Sequence, residues 1–281
     1  MAVAKIRRCE PLGSTIGDFA RLILVCVTYQ TMLSVQNMVE KPLLAHSVVN
    51  VVSTEDFHNF ATNVLEALKP LPSERRGSSS LKASVNLHIL LVLMLLFTPR
   101  QQLLNHAHAY NTDQEQPELR YGIADWMNAD GGRTARRAVA HAGRLLGALG
   151  TCKSQGAHEP IMLLMCIVTL WTYSLMVDMG NAPHFIGGGG GSVNDKSRKD
   201  RGTIVRLDDL DFDPEDWING RTHLPGHIKN VGNIGRPGAA LQILGTGIAA
   251  LKELGPWGVG QGWGMWLVKL KTRLHASAEG A

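Results

Sequence analysis

The stretch Ile161 to Val177, "IMLLMCIVTLWTYSLMV", is apolar on nearly every side of any helix it forms. Apolar surface left in water costs about 25 cal/mol per Å², so such a segment has to be enclosed by protein or by lipid. It is marginal for a bilayer span, which takes about 20 residues, and it carries Thr169, Thr172 and Ser174. A second run, Ala83 to Phe97, contains Asn86 and His88 and meets Pro99 almost at once. A third, Phe19 to Val27, is short and contains Arg21. These interruptions predict core helices at the centre of a large helical domain. The alternative is a helical membrane-associated protein spanning through Leu87–Phe97 and Ile161–Val177.

A different pattern marks "WMNADGGRTARRAVAHAGRLL". At about 100° per residue, Ala135, Ala138, Val139, Ala142, Leu145, Leu146 and Leu149 share one arc, with Arg133, Arg137 and Arg144 opposite. Asp130, Gly131 and Gly132 predict the helix start, and Gly147 with Gly150 its end. The spacing therefore predicts a half-buried helix with a solvated basic face over a packed seam, the alternative being a helix that reads a nucleic-acid groove.

Two polar breaks, Lys69 to Ser80 and Ala109 to Gly122, read as loops, and strand signals are scarce. Residues 180–202 form a Gly-rich insert expected to be disordered, ending in Lys196, Arg198, Lys199 and Arg201, a solvated linker cluster or a nuclear-import patch. Beyond it, Asp213 can cap a short helix that opens with Pro214, Glu215 and Asp216. The acidic segment "LDDLDFDPEDW" around it fits a capped surface helix better than a disordered activation segment. Ala240, Ile243, Leu244, Gly247, Leu251 and Leu254 then share a helical face stopped by Gly255 and Pro256. A last helix carries Trp263, Trp266, Leu267, Leu270 and Leu274.

Chemistry-bearing motifs are few. The chain has 281 residues, 44% of them hydrophobic, and a net charge of +4 spread along its length, too weak for a nucleic-acid footprint. Cys9, Cys26, Cys152 and Cys166 form no CxxC pair, so neither a zinc site nor a disulfide framework is signalled, and the N-terminus lacks a secretory apolar core. His106 and His108 lack a third ligand and read as surface or loop-edge residues. Pro225 and Gly226 deny His223 and His227 a shared helix face. The glycines of "GNIGRPG" and "GTGIAALKELGPWGVGQGWG" match no phosphate loop and read as turns and helix caps, and no nucleophile elbow is present.

Several blocks together resemble a known family. "WMNADGGRTARRAVAHAG" followed by "HEPIMLLMCIVTLWTYS", then "IVRLDDLDFDPEDWINGR" and "HIKNVGNIGRPGAALQILGTGIAALKELGPWGVGQGW", resembles the later part of the fungal-specific transcription factor domain, the helical regulatory region of fungal two-Cys two-His zinc-finger regulators. The likeness covers roughly Val85 to Leu274. It implies an all-α, irregular multi-helix regulatory domain, truncated on its N-terminal side. The helical region would occupy 1–179 and 203–275, with the insert between them and a disordered tail at 276–281. It also implies RNA polymerase II transcription regulation in the nucleus, with no enzymatic activity and no membrane partner. Partners would be proteins of transcription regulation, with self-association favoured by missing helices. DNA contact and zinc would belong only to a finger region this sequence lacks. The resemblance carries over no catalytic, cofactor or metal residue, only the motif positions Trp126, Gly132, Arg133, Arg136, Arg137, His141, Pro160, Trp171, Gly232, Gly238, Trp257 and Gly258, with structural roles. It implies that Arg133, Arg136, Arg137 and Arg144 pair with carboxylates or cover neighbouring helices rather than enter a groove, with His141 at the rim of the apolar arc.

Overall fold

The computed structural model describes residues 16–40, 54–69, 80–114, 117–151, 156–180, 204–254 and 258–279. The fold is all-α with one small three-stranded sheet. The chain divides into two compact units, 1–96 and 97–281. The physical reason is packing. Residues 97–180 and 204–279 share one core, whereas the first helices pack on one another.

The first unit holds α1 (Asp18–Glu40), α2 (Thr54–Leu68) and α3 (Ser80–Leu96), each packed against the other two. On α2, Phe57, Ala61, Val64, Leu65 and Leu68 recur at helical spacing and are buried. In α3, His88 Nδ1 donates to the Ser84 carbonyl at 2.7 Å, so a polar interruption of the apolar run is satisfied inside its own helix. Helix α1 is longer than the Phe19–Val27 run. Its Asp18–Val35 window has the length and composition to cross a membrane, with 17% of it buried. Phe19, Ile23 and Val27 are exposed, while Arg21 is buried and paired with Asp18 at 3.3 Å.

The second unit is built on α7 (Glu159–Asp178), the helix made by the most apolar run. It is flanked by α4 (Arg100–Thr112), α5 (Pro117–Asn128), α6 (Arg133–Thr151), α9 (Ala239–Glu253) and α10 (Gly258–Glu279). Helix α7 is long and apolar enough to cross a membrane, yet 89% of its apolar window is buried by protein, and two of its polar residues work within that core. Thr169 donates back to the Met165 carbonyl at 2.8 Å, and Ser174 donates to the Ile234 carbonyl at 2.7 Å. On α9, Ala240, Ile243, Leu244, Gly247 and Leu251 are buried as their shared face predicts, and on α10 so are Leu267, Leu270 and Leu274.

Between α7 and α9 the chain forms β1 (Val205–Arg206), the single turn α8 (Glu215–Ile218), β2 (Gly226–Ile228) and β3 (Gly232–Asn233). Strand β1 pairs parallel to β2, Val205 opposite Gly226, and β2 pairs antiparallel to β3, Ile228 opposite Gly232. Scarce strand signals match strands of two or three residues. The α8 start follows its sequence closely, since Asp213 Oδ1 accepts from the Glu215 N–H at 3.1 Å just ahead of Glu215 and Asp216.

Four expectations need correcting. The break over 109–122 is narrower, because α4 runs to Thr112 and α5 starts at Pro117. Pro117 opens a helix well where its missing N–H has no intrahelical role. Gly147 does not end α6, which continues to Thr151. The glycines read as turns partly lie inside helices. Gly245 and Gly247 are within α9, and Gly258, Gly260, Gly262 and Gly264 are within α10. At Gly247 a side chain would press into Ile167 of α7, so close helix packing explains that glycine. Helix α10 also continues to Glu279 through the tail expected to be disordered, since Ala276, Ser277, Ala278 and Glu279 contain no helix breaker. The rest of the insert from 181, and the break at 70–79, lie outside the described residues.

Candidate functional site

Helix α6 answers what its arginines do. Asp130, Gly131 and Gly132 take three successive left-handed conformations (φ 54°, 63° and 80°), a turn that glycine adopts without a Cβ penalty and that aims α6 into the unit. Arg133 pairs with Asp130 across this turn, as a carboxylate-paired arginine should. Arg136 and Arg144 do something else. The buried Arg136 donates through Nε to the Ile218 carbonyl at 2.7 Å and through Nη2 to the Gly131 carbonyl at 3.0 Å. Arg144 donates to the Phe212 carbonyl at 2.6 Å. Both guanidiniums satisfy backbone oxygens of the segment that carries α8, and burial pulls the Arg136 pKa below its ordinary value. Arg137 lies over the Phe97 ring, 5.2 Å from its centroid, and His141 stacks on the same ring at 6.1 Å.

The remaining motif positions are distributed through the second unit. Trp126 Nε1 donates to the Phe97 carbonyl at 2.8 Å. Pro160 sits in the first turn of α7. Trp171 is fully buried, with His106 5.4 Å and Tyr110 5.7 Å away between ring centroids. Gly232 and Gly238 both have positive φ, at β3 and just ahead of α9, and Gly258 opens α10. Trp257 lies outside the described residues. His106 is not a surface residue, because the spacing of "NHAHAY" turns it inward against Trp171 while His108 stays exposed. Burial first, and then the positive Arg120, push its pKa down to about 4. Among the described residues no three His, Cys, Asp or Glu side chains gather as a metal site.

The same face of α6 that holds Arg136 also presents Gly143 and Gly147, and here the chain makes its closest approach. A Cβ on Gly143 would lie 2.7 Å from the Leu207 carbonyl oxygen, and one on Gly147 would overlap the Asp208 carbonyl oxygen. Leu207 and Asp208 can cross α6 only because both positions lack side chains. Beyond this crossing a cleft of about 1170 Å³ opens between the C-terminal half of α6, α9 and the turns after β1 and β2. Leu146, Leu149, Leu163, Ala249, Ala250 and Leu254 supply its apolar surface. Its polar lining includes Arg206, Asp208, Asp209, Asp211, Lys229 and Glu253.

The turn side of the cleft is organised around Asp208. Its carboxylate accepts from Arg206 Nε at 3.1 Å and Nη2 at 3.3 Å, and from the Lys229 N–H at 3.0 Å. That pairing raises the Arg206 pKa, the hydrogen bond first and the charge second. Asp209 Oδ1 accepts from the Asp211 N–H at 3.0 Å. These carboxylates therefore shape the turn.

Sequence reasoning singled out the acidic segment and the α9 face separately but not the cleft they make. The available signal was the four-residue spacing of Gly143 and Gly147, which suits close approach on one helix face. Arg137 is half-buried, and its cation–π contact with Phe97 is worth about 0.5–1 kcal/mol. Arg137→Gln is expected to lower unfolding free energy by about that amount, and a larger loss in urea titration would show that Arg137 is buried structure. No family model, no curated protein and no solved structure matches this chain.

Proposed function

We propose that this chain is the helical regulatory part of a fungal zinc-finger-type transcription factor, acting in the nucleus through protein contacts, without catalysis and without reading DNA itself. The observation that carries this reading is the use of the arginine block. Arg136 and Arg144 are spent on backbone carbonyls inside the fold and Arg133 on Asp130. The cleft beside α6 is lined by Asp208, Asp209, Asp211 and Glu253 as well as by Arg206 and Lys229, and so is no basic patch for phosphates. Two further features support it, the all-α architecture and the structural placement of the described motif residues.

The test is a titration of the chain against random and genomic DNA near physiological salt. The expected result is weak, salt-sensitive binding that ignores sequence. Discrimination between DNA sequences by more than about tenfold, roughly 1.4 kcal/mol, would overturn the proposal.

A second reading, membrane association, draws on α1 rather than on the two runs first considered for it. Its Asp18–Val35 window is apolar and mostly uncovered, with Phe19, Ile23 and Val27 exposed. Flotation of the chain with liposomes tests it, and loss of flotation in a Phe19→Ser, Ile23→Ser, Val27→Ser variant assigns the contact to α1.

A further inference from the structure

We infer that the exposed side of α1 docks on an anionic phospholipid surface, the first half of the helix lying in the headgroup region rather than crossing the bilayer. The inference rests on the membrane reading of α1 above and names its lipid and its depth.

The two sides of the helix are used differently. At about 100° per residue, Arg21, Val25 and Met32 share one narrow arc, and all three are buried where α1 packs on α2 and α3. Phe19, Ile23, Cys26 and Val27 lie opposite and are exposed. Further along that side come Gln30, Thr31 and Ser34, also exposed. The outward side is therefore apolar only over its first half. That half extends about 12 Å at 1.5 Å per residue, well short of the roughly 30 Å hydrocarbon core a span has to match. It suits an interfacial helix, which sinks about 5–10 Å into the boundary between headgroups and acyl chains.

Charge names the lipid. Asp18, the carboxylate beside Phe19, is paired with the buried Arg21 at 3.3 Å, so no lone negative charge there opposes an anionic headgroup. From Leu22 to Val39 the helix carries no charged side chain. The residues ahead of the helix hold Lys5, Arg7 and Arg8 against Glu10 alone. This excess of cations comes just before the apolar patch in the chain. Shallow apolar insertion and basic attraction are each weak alone, and the two together hold a chain on anionic lipid.

The test is flotation of the full chain with vesicles of phosphatidylcholine alone and of phosphatidylcholine mixed with phosphatidylserine. Expected is binding to the mixed vesicles that falls with added salt and is weaker by about tenfold or more on phosphatidylcholine alone. Phe19→Ser, Ile23→Ser and Val27→Ser together should abolish it. Lys5→Gln, Arg7→Gln and Arg8→Gln together should reduce it to the phosphatidylcholine level. The three α1 positions are exposed, so circular dichroism should show the fold unchanged in the serine variant. Alkaline carbonate should release the bound chain, and retention through that wash would identify a span and overturn the inference. Equal flotation on the two vesicle types overturns it as well, and so does flotation that survives the serine substitutions. If flotation is equal on both but lost in the serine variant, membrane association through α1 stands and only the lipid assignment falls. Absence of flotation on every vesicle removes the membrane reading itself.

Discussion

Gly147→Ala is expected to destabilise the protein by about 1–3 kcal/mol, the usual range for overpacking, although alanine is the better helix former. In an exposed helix interior the exchange would gain about 1 kcal/mol. At Gly147 the new methyl overlaps the Asp208 carbonyl oxygen, a backbone atom that cannot rotate aside. Relief requires the Leu207–Asp208 crossing to lift off α6. That strains the Arg206–Asp208 pair, the Asp208 contact to the Lys229 N–H and the Arg144 hold on Phe212 together. The internal control is Gly150, on the same helix, where a Cβ meets nothing within 4 Å. Gly150→Ala is expected to stabilise by up to about 1 kcal/mol. Urea midpoints at unchanged m-value measure both. If the two substitutions shift the midpoint in the same direction, the close approach at Gly147 is not what holds the segment. Gly147→Val should be worse than Gly147→Ala, because its two methyls enlarge the overlap.

The Gly147 contrast also shows what the sequence could and could not reveal. Periodicity reports how one helix divides its own faces. The arc from Ala135 to Leu149 and the face from Ala240 to Leu254 were therefore legible, and both are buried, apart from the half-buried Leu146 and the half-buried Leu254, which lies just past the end of α9. Asp213 with Glu215 and Asp216 was legible for the same reason, since a cap is made by its neighbours. A glycine is ambiguous at that level. Gly147 looks like a helix end, but its role depends on Asp208, a residue remote in sequence. The glycines of α10 read as turns and are helical, because Leu267, Leu270 and Leu274 anchor the helix and tertiary packing outweighs a loss of about 1 kcal/mol per glycine. Arg136 and Arg144 were expected to find carboxylates or cover neighbouring helices. They found carbonyls, which no charge pattern can announce because every residue carries one. The cleft was illegible for a related reason, as it exists only where α6, α9 and the Asp208 turn meet.

Stability is expected to fall by about 2 kcal/mol between pH 7 and pH 5 on account of His106 alone. The ring is stacked on Trp171 and buried, and its Nδ1 has no hydrogen-bond partner among the described residues. Burial, and behind it the charge of Arg120, lower its pKa from 6.5 to about 4. Unfolding restores the ordinary value, so between these two pKa values the unfolded chain binds a proton that the folded chain refuses. The stabilisation is fully present above pH 6.5 and is lost as the pH falls toward 4. At about 1.4 kcal/mol per unit, the full gap corresponds to about 3 kcal/mol, and about 2 kcal/mol of it is gone by pH 5, where ordinary carboxylates remain ionised. His106→Leu removes the proton site and keeps an apolar body against Trp171. Urea unfolding of the two proteins at pH 7 and pH 5 separates the effect from other titrations, because only the His106 share disappears in the variant. The variant should therefore be less sensitive to acid by about 2 kcal/mol, whatever its absolute stability at pH 7. Equal losses in both proteins would mean that the His106 ring reaches solvent and that the Trp171 stack is looser than the geometry describes.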